Sequence, residues 1–296
     1  MLRNHSSFIW LLGLAAGVLA IWMAAAAVLT TALAAQQAIT GELVDRTRLR
    51  VCADPANLPF SNDQGEGFEN KIAALMAERM GVPVAYTWYP QTIGFVRNTL
   101  NASLCDIVMG VGSPNELVQN TNPYYRSTYV LAHRTADGSK FADLSSPAMR
   151  QARIGVVAPT PPVDLLVQHG LLGQIHSYPL PADTRVDNPG RQMIRDLAVR
   201  EIDVALLWGP IAGYWASRQS EPITLVPLES ERPGQHLDFR ISMGVRYNEP
   251  DWKHEVDDLI RELQPEIDRI LLDYGVPLLD RQGRLIAEKT EAGAAQ

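Results

Sequence analysis

The side chains able to do chemistry in this chain are few and scattered. His133, His169, His176, His236 and His254 have no spacing that would hold a metal ion, and two cysteines without matching histidines do not make a zinc set. Gly65-x-Gly67 and Gly110-x-Gly112 each lack the third glycine of a dinucleotide loop, and no Gly-x-Ser-x-Gly elbow occurs. Residue types and spacing therefore assign no catalytic group, no metal and no cofactor, and they point to binding instead. The binding candidates sit where predicted strands end: Asp54, Asn57 and Phe60 after the first, Gly110 in the third, Tyr124 and Tyr125 after a polar loop, Thr160 in a proline-rich turn and Trp208 at the end of a buried run. Asp54 has two readings, a cleft group or a cap on its own turn, because Asp before Pro favours turns. Phe60, Tyr124 and Tyr125 either stack on a ligand or partner or fill the core. Arg97 and Arg126 read as surface ion pairs.

The elements that must position these residues begin with Leu49–Gly81. Leu49, Val51 and Ala53 form a short apolar run that stops at Asp54-Pro55, since proline removes a ladder donor and pushes its predecessor away from helix. Phe68, Ile72, Leu75, Met76 and Met80 then mark one helical face, with Gly81 as the stop. Val84–Tyr89 reads as a strand. Ile93, Val96, Leu100 and Leu104 read as a helix face, and the continuous run Ile107–Gly110 as a strand buried on both sides. Gly112–Asn122 reads as a polar loop, Thr128–His133 as a strand and Thr135–Ser146 as a crossing between lobes. A second set of strands and helices follows from Arg153 to Trp215, with Ile202–Trp208 buried. Phe239–Tyr247 reads as a returning strand, and Asp251–Gly275 as a helix interrupted at Pro265. Strands alternating with helices imply an α/β protein with doubly wound sheets, whose ligands sit at the carboxyl ends of strands.

At 296 residues the chain exceeds one ordinary core, so two lobes are expected. It carries 26 basic and 33 acidic residues, a net charge of −7, and no basic stripe, which argues against nucleic acid and anionic lipid. Residues 8–29 carry no charge, and Ala32-Leu33-Ala34 offers a signal-peptidase site. The run is also long enough to anchor in a bilayer uncleaved. Either way the folded part lies outside the cytoplasm, with residues 1–34 as signal peptide, cleaved after Ala34, and 35–47 as a tether. Without residues 1–34, whose one charged side chain is Arg3, the balance is 25 − 33, or −8. In an oxidising compartment Cys52 and Cys105 are either a disulfide or, if adjacent strands hold them too far apart, two buried thiols.

In order, GEGFENKIAALMAERMG (65–81), LCDIVMGV (104–111), NPYYRSTYV (122–130), RIGVV (153–157) and REIDVALLWG (200–209) resemble the markers of polar-amino-acid-type extracellular solute-binding proteins over residues 48–279. More narrowly, CADPANLPFSN (52–62), GFVRNTLNASLCDIVMGV (94–111), PYYRSTYVLAHR (123–134) and LLWGPIAGYWA (206–216) are similar to the J-type accessory proteins of methanol dehydrogenases that depend on pyrroloquinoline quinone (PQQ). The resemblance implies a periplasmic binding protein type II fold, two doubly wound lobes joined by two crossings. Lobe 1 would be 48–134 plus 241–279, lobe 2 would be 135–240, and 280–296 a tail. It implies a non-catalytic periplasmic protein that supports a PQQ-dependent methanol or alcohol dehydrogenase, its partner together with that enzyme's cytochrome c. The alternative is a transporter receptor that closes on a small solute. The usual ligand hooks are missing: Gly112–Leu117 has no Arg, Trp208-Gly209-Pro210 stands where an Asp is usual, and Ala158–Pro162 replaces a Gly-Thr turn. A zwitterion would leave its charges unpaired there. A large, aromatic, uncharged cleft that stays open without ligand is the resulting expectation.

Overall fold

In the computed structural model the described residues are 41–180, 183–186 and 188–286, and residues from Leu43 onward form one compact unit. The expected signal segment, residues 35–40 of the expected tether and residues 287–296 lie outside the described residues. None of the described helices is long and apolar enough to cross a membrane.

Strand β1 (Leu49–Ala53) is followed by the two-residue strands β2 (Ala56–Asn57) and β3 (Ser61–Asn62), helix α1 (Phe68–Met80), β4 (Val84–Trp88), the single turn α2 (Phe95–Asn98), β5 (Ile107–Gly112) and the long strand β6 (Gln119–Arg134). Two 3₁₀ segments lead to β7 (Ile154–Val157), α3 (Pro162–Gln168), β8 (Ile175–Tyr178), α4 (Pro189–Ala198), β9 (Val204–Trp208), α5 (Gly209–Ala216), β10 (Ile223–Pro227), β11 (Asp238–Val245) and α6 (Pro250–Asp273). One mixed sheet runs β4-β1-β5-β11-β6-β9-β7-β8, with β10 beside β6. β1 is parallel to both β4 and β5, and β7 to both β8 and β9. Each half thus has a strand whose two neighbours are reached by connections of opposite sense, where a crevice opens at the carboxyl ends.

Side-chain alternation packs both faces of these strands. Val51, Ala53, Ile107 and Met109 face a core shared with Phe68, Ile72 and Met76 of α1 and Trp252, Val256 and Ile260 of α6. Cys52 and Val108 face the other way, toward Phe95 and Leu100. In the second half Leu131, Ile154, Val204 and Leu206 lie on one face and Val130, Ala132, Ala205 and Leu207 on the other. Beside β1, the buried carboxylate of Asp106 accepts from Arg50 at 2.6 Å and from Arg246 at 2.6 Å, tying β1 to the chain after β11.

Five expectations need correction. Gly112–Asn122 is not all loop: β6 starts at Gln119, because its polar residues through Thr128 pair with β11. The chain therefore crosses between halves along β6, whose Tyr129–His133 pairs with β9. Thr135–Ser146 instead packs Phe141 and Leu144 into the second half. The helix expected around Ile93–Leu104 shrinks to one turn, with Ile93 fully exposed, since Gly94 and Ser103 both adopt positive φ. Pro265 does not break α6, because the carbonyl it leaves without a donor belongs to exposed Arg261. Finally, residues 280–286 form a hairpin against the sheet end, with a bridge between Leu279 and Leu285.

Candidate functional site

Carboxyl ends of five strands meet around a cavity of about 410 Å³. Asn57 and Leu58 follow β1, Gly112 ends β5, Thr160 follows β7, Leu180 follows β8 and Trp208 ends β9. The crossing strands supply Tyr129 and Phe239. Tyr129 stands opposite Trp208 in the β6–β9 ladder. Ring centroids are 5.3 Å apart for Tyr129–Trp208, 5.8 Å for Trp208–Phe239 and 6.3 Å for Tyr129–Phe239, all edge to face. Burial pushes the Tyr129 hydroxyl up to about 12, so it stays a neutral donor. None of the described lining residues is charged. A site of this composition can hold an apolar or neutral aromatic group and cannot pair the charges of a zwitterion.

Of the residues singled out in the sequence, the cavity gathers Asn57, Thr160 and Trp208. Asp54 is buried beside it rather than lining it. Its carboxylate accepts from the Ala56 amide at 2.8 Å and the Gln91 amide at 2.5 Å, and from the Thr184 hydroxyl at 2.7 Å. Asp54 is thus a turn cap and a bridge: Thr184 comes from the loop after β8, so a hydrogen bond spans the crevice. The expectation of lobes held apart does not describe this conformation. Thr184→Val, which keeps the side-chain shape, is expected to lower the urea midpoint by the equivalent of about 1 kcal/mol and to widen the particle in small-angle scattering.

Phe60 is edge-on to Phe68 at 5.4 Å, away from the cavity. Tyr124 and Tyr125 are 1% and 6% exposed, packed in the first-half core and against a separate groove. Tyr124 is the extra residue of a bulge in the β6–β11 ladder, and Tyr125, four residues before Tyr129, packs on Phe68 at 6.1 Å in the first-half core instead of reaching the cavity. Gly110 has φ +72°, and a Cβ there would lie 2.3 Å from Oε1 of Glu69. Its role in this structure is to make room for that buried carboxyl group. Burial, and then the charge of Asp54, pushes Glu69 up to about 8. Sequence reading missed Glu69, Tyr129, Thr184 and Phe239. No carboxyl-end position marked Tyr129 or Phe239: Tyr129 lies inside the long strand β6, and Phe239 stands at the amino end of β11, where this fold class does not place ligands.

Cys52 and Cys105 are joined, with Cα atoms 5.5 Å apart and buried among Phe95, Leu100 and Val108. Cys105 precedes β5 instead of lying within it, which brings it close enough to Cys52. Among the described residues no group of three His, Cys, Asp or Glu could hold a metal ion.

Comparison with known proteins places this geometry. Protein MoxJ of Paracoccus denitrificans is 30% identical over 258 residues, covering 80% of this chain and 91% of that protein. The crystal structure of the periplasmic binding protein XoxJ from Methylobacterium extorquens AM1 superposes with a TM-score of 0.67 at 42% identity, covering 78% of this chain and 99% of that one. MxaJ from Methlophaga aminisulfidivorans MPT gives 0.68 at 26% identity, covering 78% and 100%. The fold is thus that of a type II periplasmic binding protein, as the resemblance implied. The profile of bacterial extracellular solute-binding proteins, family 3, matches residues 49–276, and this chain belongs to that family.

Proposed function

We propose that this chain is a non-catalytic periplasmic accessory protein that supports the maturation or activity of a PQQ-dependent methanol or alcohol dehydrogenase. In this reading the two halves, joined along β6 and β11, act as the two lobes. Asn57, Thr160 and Trp208, joined by Tyr129 and Phe239, form the surface on which a partner group rests. The observation that carries it is the cavity itself: it occupies the ligand position of the fold, yet three aromatic rings and no charged side chain line it among the described residues. Similarity to MoxJ, XoxJ and MxaJ supports the same reading. A clean deletion is expected to leave the dehydrogenase present but poorly active, and full activity in that strain would count against an accessory role. Trp208→Ala with Phe239→Ala is expected to weaken retention on immobilised dehydrogenase by tenfold or more, roughly the loss of one aromatic anchor. The melting temperature serves as the folding control.

A solute receptor is the second reading, favoured by the Thr184–Asp54 bridge and by a volume suited to a small molecule. A thermal-shift screen separates the two readings. A saturable shift with one metabolite at micromolar concentration would select the receptor, because a ligand that binds only the folded state raises its stability.

A further inference from the structure

We propose a second interaction surface, an arginine-rich groove that takes an acidic protein segment and is separate from the aromatic cavity. Its volume is about 760 Å³, and it lies between the first half of β6, helix α6 and the hairpin of residues 278–286. Arg126, Arg240, Arg261 and Arg281 all line it. In the β6–β11 ladder Arg126 and Arg240 are direct cross-strand partners, an arrangement of like charges that costs stability when nothing lies between them. Arg126 is compensated by Asp238 at 2.7 Å. Arg240 is exposed, and among the described residues neither its guanidinium nor that of Arg281 has an ion-pair or hydrogen-bond partner.

The acids of the groove are already engaged. Asp257 accepts from Lys253 at 2.6 Å and from the Asn122 amide at 2.6 Å. Asp280 accepts from Arg284 and from the hairpin amides. Asp268 accepts from the neutral side-chain amide of Gln264. With Arg126 paired to Asp238 and Arg261 to Asp258, the charges left in the groove are Arg240 and Arg281 against Asp268, a positive balance in a chain whose net charge is −7. Ile260, Leu278 and Leu279 supply apolar surface beside the arginines. Forked guanidinium groups pair with carboxylates in two parallel bonds, and apolar side chains between those carboxylates would cover the isoleucine and leucines. That pattern describes a segment of a protein with Asp or Glu interspersed with apolar residues. A lone small anion would use the arginines and leave the apolar surface wet.

The test uses the full chain and a labelled peptide alternating Glu with Leu, alongside the same peptide with Gln in place of Glu. The acidic peptide is expected to bind, and to bind about tenfold more weakly when salt is raised through the range where the Debye length falls below about 10 Å. Arg240→Gln with Arg281→Gln is expected to lose about tenfold or more in affinity, the scale of charged hydrogen bonds. Arg240→Gln alone is expected to leave the melting temperature unchanged or raise it, since it relieves the cross-strand repulsion. Equal binding of the Gln peptide, unchanged affinity in the double variant, or a lowered melting temperature in Arg240→Gln would overturn the proposal. Full competition by free glutamate at equal concentration would do so too, by making the groove a small-anion site.

Discussion

Between pH 5 and pH 8 this protein is expected to lose stability steadily as the pH rises, and Glu69→Gln is expected to flatten that slope. Glu69 lies in the first turn of α1 with its carboxyl group against Gly110, and burial together with Asp54 lifts its pKa from 4.5 to about 8. An acid whose folded pKa lies above its unfolded value keeps its proton longer in the folded state. The folded state then binds the extra proton between the two values, so stability falls with pH across that window. It is level below 4.5 and level again above about 8. The slope approaches about 1.4 kcal/mol per pH unit, and the whole window amounts to about 5 kcal/mol. The nearby tyrosines Tyr86, Tyr124 and Tyr125 have pKa values raised above 10, outside this range. The carboxylates held low at Asp45, Asp143, Asp183 and Asp280 titrate below it. Urea midpoints measured at half-unit steps for the native chain and Glu69→Gln make the comparison. Identical slopes in the two proteins would show that Glu69 ionises normally in its pocket. Glutamine keeps the shape of the neutral acid, so the variant is expected to fold and to gain most at alkaline pH.

Breaking the bridge between Cys52 and Cys105 is expected to cost about 4 kcal/mol. The bridge closes a separation of 53 residues, and a loop of that length removes about that much chain entropy from the unfolded state. The folded state changes little, because both sulfurs sit in an apolar cluster that accepts free thiols, and alanine leaves only the small space of each sulfur. Urea unfolding with and without reductant should therefore differ strongly for the native chain. The double variant Cys52→Ala, Cys105→Ala should match the reduced protein and ignore reductant. A native midpoint that does not move with full reduction would mean the reduced unfolded chain keeps structure in this region. The same dependence predicts poor yields of folded protein from a reducing compartment.

The alternation of short apolar runs with helical stripes was enough to determine an α/β protein with doubly wound sheets, and the resemblance of longer motifs supplied the binding-protein type. Both depend on local periodicity, which side-chain burial on a strand or a helix imposes residue by residue. The helix Phe68–Met80 with its stop at Gly81, and the buried runs at Ile107 and Val204, were legible for that reason. The missing charged hooks were legible too, since a charge that is absent from a strand end cannot be supplied by folding. Tertiary structure alone decided which residues share a surface. Tyr124 and Tyr125 lie in the same strand as Tyr129, yet the bulge in the pairing with β11 and their place beside α1 and α6 put them in the core and at the arginine groove. Tyr129 instead meets Trp208 and Phe239 only because β6 is paired on both sides there. Likewise Arg126 and Arg240, 114 residues apart in the numbering, become neighbours through register. Glu69 acquires its high pKa from burial and from the charge of Asp54, in a pocket that Gly110 of β5 leaves open. Such contacts bring together positions far apart in the chain, and local periodicity carries no information about them.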